Sequence, residues 1–107
     1  MKIKPGVSLA NLTPQMALAA LVVDSVFRRG GYDATITSGS DGDHKGLPVK
    51  GDTRDPHYVG KAIDFRTSDV KPEDLPHLVQ SIQVCVGPEY VVLLESNHLH
   101  LQWGHIA

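Results

Sequence analysis

The sequence predicts an α+β domain in which helices pack on one face of a mainly antiparallel sheet. Two segments carry apolar residues at helical spacing, and four short segments alternate between apolar and polar residues as strands do. Their order is helix, strand, long loop, strand, helix and hairpin. Because 107 residues suffice for one compact domain and are too few for two, we assign residues 1–107 to a single domain.

The first predicted helix covers residues 13–29. Thr13 followed by Pro14 is typical of a helix N-cap and first helical residue. Two arginines suit the negative end of the helix dipole, and Gly30 and Gly31 then end the helix. Its apolar stripe contains Met16, Ala20, Val23 and Phe27.

One predicted strand precedes a long loop and another follows it. The stretch "YDATITSG" alternates and ends at Gly39, and "KAIDFR" sets Ile63 and Phe65 on one side with Asp64 and Arg66 on the other. The loop between them, residues 39–57, is rich in Gly, Asp and Pro. Loops of this length in small domains are usually functional or disordered, so we expect a flap that lines a site.

A second helix and a hairpin complete the domain. Asp74 is the expected cap, Pro76 lies in the first turn, and "GP" after Val86 ends the helix. Cys85 lies on the apolar stripe of this helix, so we expect it in the core. "YVVLLE" and "HLHLQW" are the two hairpin strands, and Trp103 lies on the apolar side, where it packs rather than binds substrate.

Composition excludes several functional classes. The net charge is −2 and there is no basic run, which argues against nucleic acid as a partner. No apolar run approaches membrane-spanning length, and the apolar N-terminal stretch reads as a capped helix rather than an export signal. We therefore expect cytoplasmic synthesis without a signal peptide. The one cysteine excludes an internal disulfide, so the fold depends on its core, to which a metal could add.

The last strand has a polar side that requires an explanation. Alternation sets His98, His100 and Gln102 on one side, opposite an apolar side. The turn brings Glu95 close to His98. A solvated strand face with a simple cross-turn ion pair would account for this pattern, and so would a site.

A second polar cluster lies upstream, at His57 and Asp64. Asp64 is flanked by Ile63 and Phe65, and a desolvated carboxylate is costly unless a cation or hydrogen-bond donors compensate it. One metal ion would account for both clusters. Two imidazoles and one carboxylate leave a fourth position open, as in a catalytic zinc site.

These two clusters resemble motifs of one enzyme family. "HYVGKAIDF" matches H-x-x-G-x-A-x-D, and "ESNHLH" resembles the later element with an acid and an H-x-H pair. The pattern is similar to that of zinc peptidases related to D-Ala-D-Ala metallo-carboxypeptidases and phage L-alanyl-D-glutamate endolysins. The amino-terminal domain of hedgehog signalling proteins shares that fold and zinc site.

The resemblance implies a role for each matching residue. It makes His57, Asp64 and His100 the zinc ligands and places His98 beside the metal, where it stabilises the reacting group. It makes Glu95 the general base. The implied activity is hydrolysis of peptide bonds in bacterial peptidoglycan, by an enzyme of phage or bacterial origin that acts at the cell wall. We expect the protein to be a monomer.

Two departures from the family pattern bear on the substrate. Asp55 stands where a serine is common, and Asp41 stands where many members have an arginine that binds a substrate carboxylate. Arg54 or Arg66 would have to replace that arginine. An endolysin-like endopeptidase is therefore favoured over a D,D-carboxypeptidase, and a catalytically inactive, zinc-stabilised binding domain of the hedgehog type is the alternative.

Overall fold

The computed structural model describes residues 1–39 and 60–104, which form a five-stranded sheet and two helices. The strand order is β1-β2-β3-β5-β4, and every neighbouring pair is antiparallel except β1 and β2. The predicted single α+β domain is confirmed. The strands are β1 Lys2–Ile3, β2 Thr35–Ser38, β3 Ala62–Arg66, β4 Tyr90–Leu94 and β5 His98–Trp103.

The first helix, α1, covers Pro14–Arg29 and begins as the sequence predicts. The Thr13 hydroxyl accepts a hydrogen bond from the Met16 amide at 3.3 Å and donates one to the Gly60 carbonyl at 3.2 Å. The cap thus also joins the helix to the chain that leads into β3. Within residues 1–39 and 60–104, no helix is long and apolar enough to cross a membrane.

The second helix, α2, covers Leu75–Val86, but its predicted cap is wrong. A short 3-10 turn, Pro72–Asp74, precedes the helix and leaves the Asp74 backbone in a helical conformation. A capping side chain needs an extended backbone to reach the free amides of the first turn. The Asp74 carboxylate instead accepts a hydrogen bond from the Tyr32 hydroxyl.

Both helices contribute to a core on one face of the sheet. The Phe27 ring of α1 lies 6.2 Å from the Phe65 ring of β3, and both side chains are fully buried. This face is the predicted apolar one. Its buried residues from the two helices and the two central strands include Met16, Val23, Leu78, Ile82, Ile63, Leu99 and Leu101.

Cys85 is exposed, so the prediction that it belongs to the core is wrong. Its Sγ atom lies 3.7 Å from Nη2 of Arg29, at the C-terminal end of α1. Helix α2 presents Leu78 and Ile82 to the core, and Cys85 follows them beyond the edge of the packed surface. Trp103 is half-buried and packs against the core as predicted.

The N-terminal segment supplies an element that the sequence did not predict, the short parallel strand β1. The chain after β1 passes very close to two glycines. A Cβ atom would lie 2.1 Å from the Ser8 carbonyl oxygen at Gly39 and 1.8 Å from the Asn11 carbonyl oxygen at Gly60. Gly60 also has a φ of +74°, which favours glycine. The backbone that approaches Gly60 closely is therefore that of Asn11.

Candidate metal and catalytic site

The second face of the sheet carries a row of polar side chains across three strands. Ser38 of β2 pairs with Asp64 of β3, which pairs with His100 of β5. A register irregularity between Ile36 and Ser38 puts Ser38, rather than Thr37, opposite Asp64. β-Bulges of this kind often redirect a side chain next to an active site.

These polar residues are as buried as the core. Asp64 is 8% exposed, His100 is 3% exposed and Gln102 is 0% exposed. Of the two explanations open for this face, the solvated surface does not hold for these three residues. Buried polar groups must find partners, because burial without one is costly.

His100 contacts an oxygen atom at each of its ring nitrogens. Nδ1 lies 2.9 Å from Oδ1 of Asp64, directly across the strand pair. Nε2 lies 2.8 Å from Oε1 of Gln102, two residues further along β5. Because a neutral imidazole has one N–H, it can donate to only one of these oxygens.

The surroundings of His100 favour its charged form. Burial lowers the pKa of the imidazole, but the hydrogen bonds to Asp64 and Gln102 and the negative charges of Asp64 and Glu95 outweigh it. The pKa of His100 is consequently raised above its ordinary value of 6.5. In the absence of a metal, a proton on Nδ1 would satisfy the short contact with Asp64.

A metal ion would satisfy the same contact. If Gln102 accepts the Nε2 hydrogen, the lone pair of Nδ1 points toward Asp64, and the nitrogen and the carboxylate would together supply two ligands to one cation. Histidine ligands in metal sites commonly donate their other N–H to a carbonyl or carboxylate oxygen in this way. The donor chemistry of Asp64 and His100 therefore fits zinc.

The third predicted ligand, His57, lies outside the described residues. Among residues 1–39 and 60–104, no group of three or more His, Cys, Asp or Glu side chains is arranged to hold a metal ion. The described part of the chain thus brings together two of the three predicted ligands. Arg54 and most of the 39–57 loop also lie outside it.

His98 and Glu95 lie beside this pair at the edge of the polar face. His98 Nδ1 is 2.7 Å from Oδ1 of Asn97, which can only accept, so Nδ1 donates. Nε2 then faces Oε1 of Glu95 at 3.6 Å and Oδ2 of Asp64 at 3.9 Å. Glu95 is 48% exposed on its side chain. His98 therefore lies between the two carboxylates, close to both Asp64 and Glu95.

Arg66 is the described member of the two predicted substrate-binding arginines. It lies directly opposite His98 in the β3–β5 pair and is half-buried. That position puts it on the polar face, at the end near the hairpin turn. It is suitably placed to contact a ligand that reaches His98.

Gln102 is a site residue to which the sequence assigned no role. Its place on the polar side of β5 follows from the same alternation that identified His100, since the two residues are i and i+2 on one strand. What the alternation does not reveal is that Gln102 is fully buried and contacts His100. That contact depends on side-chain packing.

Comparison with known proteins adds no relative: no family model, curated protein or solved structure matches this chain. The family resemblance in the two motifs therefore stays a prediction, and the site has to be judged on its own geometry.

Proposed function

We propose that the protein is a zinc-dependent peptidase that hydrolyses peptide bonds of bacterial cell-wall peptidoglycan. The observation that carries the proposal is the buried cross-strand pair of Asp64 and His100, with His98 and Glu95 beside it. A buried carboxylate 2.9 Å from a buried imidazole nitrogen supplies two ligands for one ion. The sequence motif adds His57 as the third.

Zinc bound by His57, Asp64 and His100 would polarise the scissile carbonyl and acidify the attacking water. Glu95 is exposed enough to reach that water and accept its proton. His98 is held by Asn97 through Nδ1, so its Nε2 is the nitrogen that faces the reacting groups. Transfer of the proton to the departing amine by Glu95 or His98 completes the hydrolysis.

The substrate class is taken from the motif resemblance, and one cationic side chain on the polar face is compatible with it. Arg66, opposite His98, could pair with a carboxylate of a peptide stem. An endolysin-like endopeptidase and a D,D-carboxypeptidase would use the same residues and differ in the bond that they place next to His98.

A catalytically inactive, zinc-stabilised binding domain is the second candidate. The observation in its favour is the position of Glu95, whose carboxylate is 48% exposed and lies 3.6 Å from His98, beyond hydrogen-bond distance. Such a domain would need the zinc ligands and not the base.

Digestion of defined muropeptides, with products identified by mass spectrometry, tests the proposal. We expect the zinc-loaded protein to release a peptide or amino acid, and Glu95→Gln to lower the rate by about 10²- to 10⁴-fold because the general base is lost. Asp64→Asn should abolish both zinc binding and hydrolysis. The products also identify the scissile bond.

Glu89→Gln is the matched control, because Glu89 is an exposed acid at the far end of the hairpin. It should digest at the wild-type rate. Stoichiometric zinc without any digestion would favour the binding domain, whereas a wild-type protein that binds no zinc would contradict both candidates.

A further inference from the structure

We propose that Gln102 is a positioning residue for the metal site. Its side-chain carbonyl accepts the Nε2 hydrogen of His100 and thereby directs the lone pair of Nδ1 toward Asp64 and a shared ion. The inference rests on the proposed zinc site and assigns a residue that the motifs do not include.

The contact is short and completely enclosed. Oε1 of Gln102 lies 2.8 Å from Nε2 of His100, and the Gln102 side chain has no solvent exposure. A glutamine side chain has several rotatable bonds, so holding it in one conformation costs entropy. Burial fixes this conformation and with it the orientation of the imidazole ring.

The amide nitrogen of Gln102 is buried and has no hydrogen-bond partner within the described part of the chain. An unpaired buried donor destabilises the folded protein, and an apolar residue at this strand position would avoid that penalty. The hydrogen bond to His100 is thus the interaction that Gln102 provides here. This is the pattern expected of a residue that orients His100 rather than one that stabilises the core.

The direction of this hydrogen bond determines whether His100 can bind a metal through Nδ1. When Gln102 accepts from Nε2, the neutral ring has no hydrogen on Nδ1, and Nδ1 can ligate. When the amide donates to Nε2 instead, the hydrogen lies on Nδ1 and is shared with Asp64, which excludes a metal from that nitrogen. The proposal requires the first arrangement.

Two substitutions separate these arrangements. Gln102→Glu keeps an acceptor at this position and removes the donor, whereas Gln102→Leu removes both. We expect Gln102→Leu to weaken zinc binding by about 10- to 100-fold, the usual effect of losing the partner of a ligand. Gln102→Glu should retain an affinity within about threefold of the wild type. Competition with a chromophoric chelator measures both.

The tautomer of His100 is a readout that a purely structural role would not change. Nitrogen–proton correlation spectra of the zinc-loaded full chain, labelled with ¹⁵N in histidine, should show the Nε2–H tautomer of His100 in the wild type. The spectra are recorded at a zinc concentration that saturates the wild type and the variant. Gln102→Leu should lose this preference.

Gln83→Leu is the matched control. Gln83 donates hydrogen bonds to the carbonyl oxygens of Gly87 and Tyr90 at 3.0 and 2.9 Å, away from the site. Its loss should lower the melting temperature and leave zinc affinity and the His100 tautomer unchanged.

The outcomes distinguish this inference from the proposed function. Zinc affinity of Gln102→Leu within about threefold of the wild type, or an Nδ1–H tautomer in the zinc-loaded wild type, overturns the positioning role while the zinc peptidase stands. A wild-type protein without zinc affinity overturns the function and the positioning role together.

Discussion

The two faces of the central strands β3 and β5 are buried to a similar degree, but one makes apolar contacts and the other makes polar contacts. On one face Phe65 and Leu101 are fully buried under the helices. On the other face Asp64, His100 and Gln102 are 0% to 8% exposed and contact one another through polar atoms. Burial alone therefore does not distinguish core from site in this protein.

What distinguishes the faces is how each tolerates change. Apolar burial is non-directional, so the helix side gains stability from area and packing. Polar burial is directional, because each donor or acceptor needs a partner at the right distance and angle. Substitutions on the first face should change stability and those on the second should change binding and chemistry.

The largest effect on stability should come from Phe65→Ala on the helix face. Phe65 is fully buried and packs against Phe27, so the substitution removes apolar contacts and leaves a cavity. We expect a loss of about 3 to 5 kcal/mol in the free energy of unfolding, measured by urea denaturation.

Measuring zinc affinity in a milder variant tests whether a change on the helix face leaves the polar face unaffected. Phe65→Leu retains part of the ring volume and should keep the protein folded, with zinc affinity close to the wild type. A zinc affinity that falls in parallel with stability in Phe65→Leu would mean that the two faces are not separable.

The next largest effect should be on the pH dependence of two quantities. Metal-free stability should fall as the pH rises, whereas zinc affinity should increase. The folded-state pKa of His100 is raised above 6.5, so its contribution to metal-free stability is complete below pH 6.5. That contribution is lost as the pH rises through the folded pKa. Zinc competes with the same proton, so zinc affinity should rise with pH below the folded-state pKa, by about tenfold, or about 1.4 kcal/mol, per pH unit, and level off above it.

Denaturation with chelator and zinc titration, both repeated from pH 6 to pH 9, would measure the two trends. His77→Asn changes an exposed histidine on α2 and should preserve both. His100→Asn should remove this component of the metal-free trend and weaken zinc binding at every pH. A zinc affinity that is constant with pH would contradict the role of His100 as a ligand.

The smallest change in the free energy of unfolding should come from the cap of α1, which lies apart from both faces. Thr13→Ala removes the hydrogen bond from the Met16 amide and the one to the Gly60 carbonyl. We expect a loss of about 1 kcal/mol in the free energy of unfolding. Thr13→Ser keeps the hydroxyl and should recover most of it. Equal losses in the two variants would show that the methyl group, rather than the hydrogen bonds, is what matters.

The sequence predicted the members of each face better than their contacts. Alternation in "KAIDFR" and "HLHLQW" correctly separated Phe65 and Leu101 from Asp64 and His100, because a strand has a period of two. The same alternation placed Gln102 on the polar side of β5 but assigned it no role. Helical spacing wrongly placed Cys85 in the core, because the spacing does not reveal where the surface packed against a helix ends.

The sequence by itself determined the two helices, the hairpin and the polar side of β5. These features depend on residues close together in the chain: the Thr13 cap, the apolar spacing of the helices and the turn at Ser96 and Asn97. Local hydrogen bonding and the period of apolar residues are sufficient to specify them.

Only the tertiary structure decided that Asp64 lies opposite His100, that an irregularity in β2 brings Ser38 beside Asp64, and that Gln102 contacts the imidazole. Asp64 and His100 are 36 residues apart in sequence. The register between two such strands is set by the packing of the whole apolar face, because a slip of one residue would move every side chain to the opposite side of the sheet.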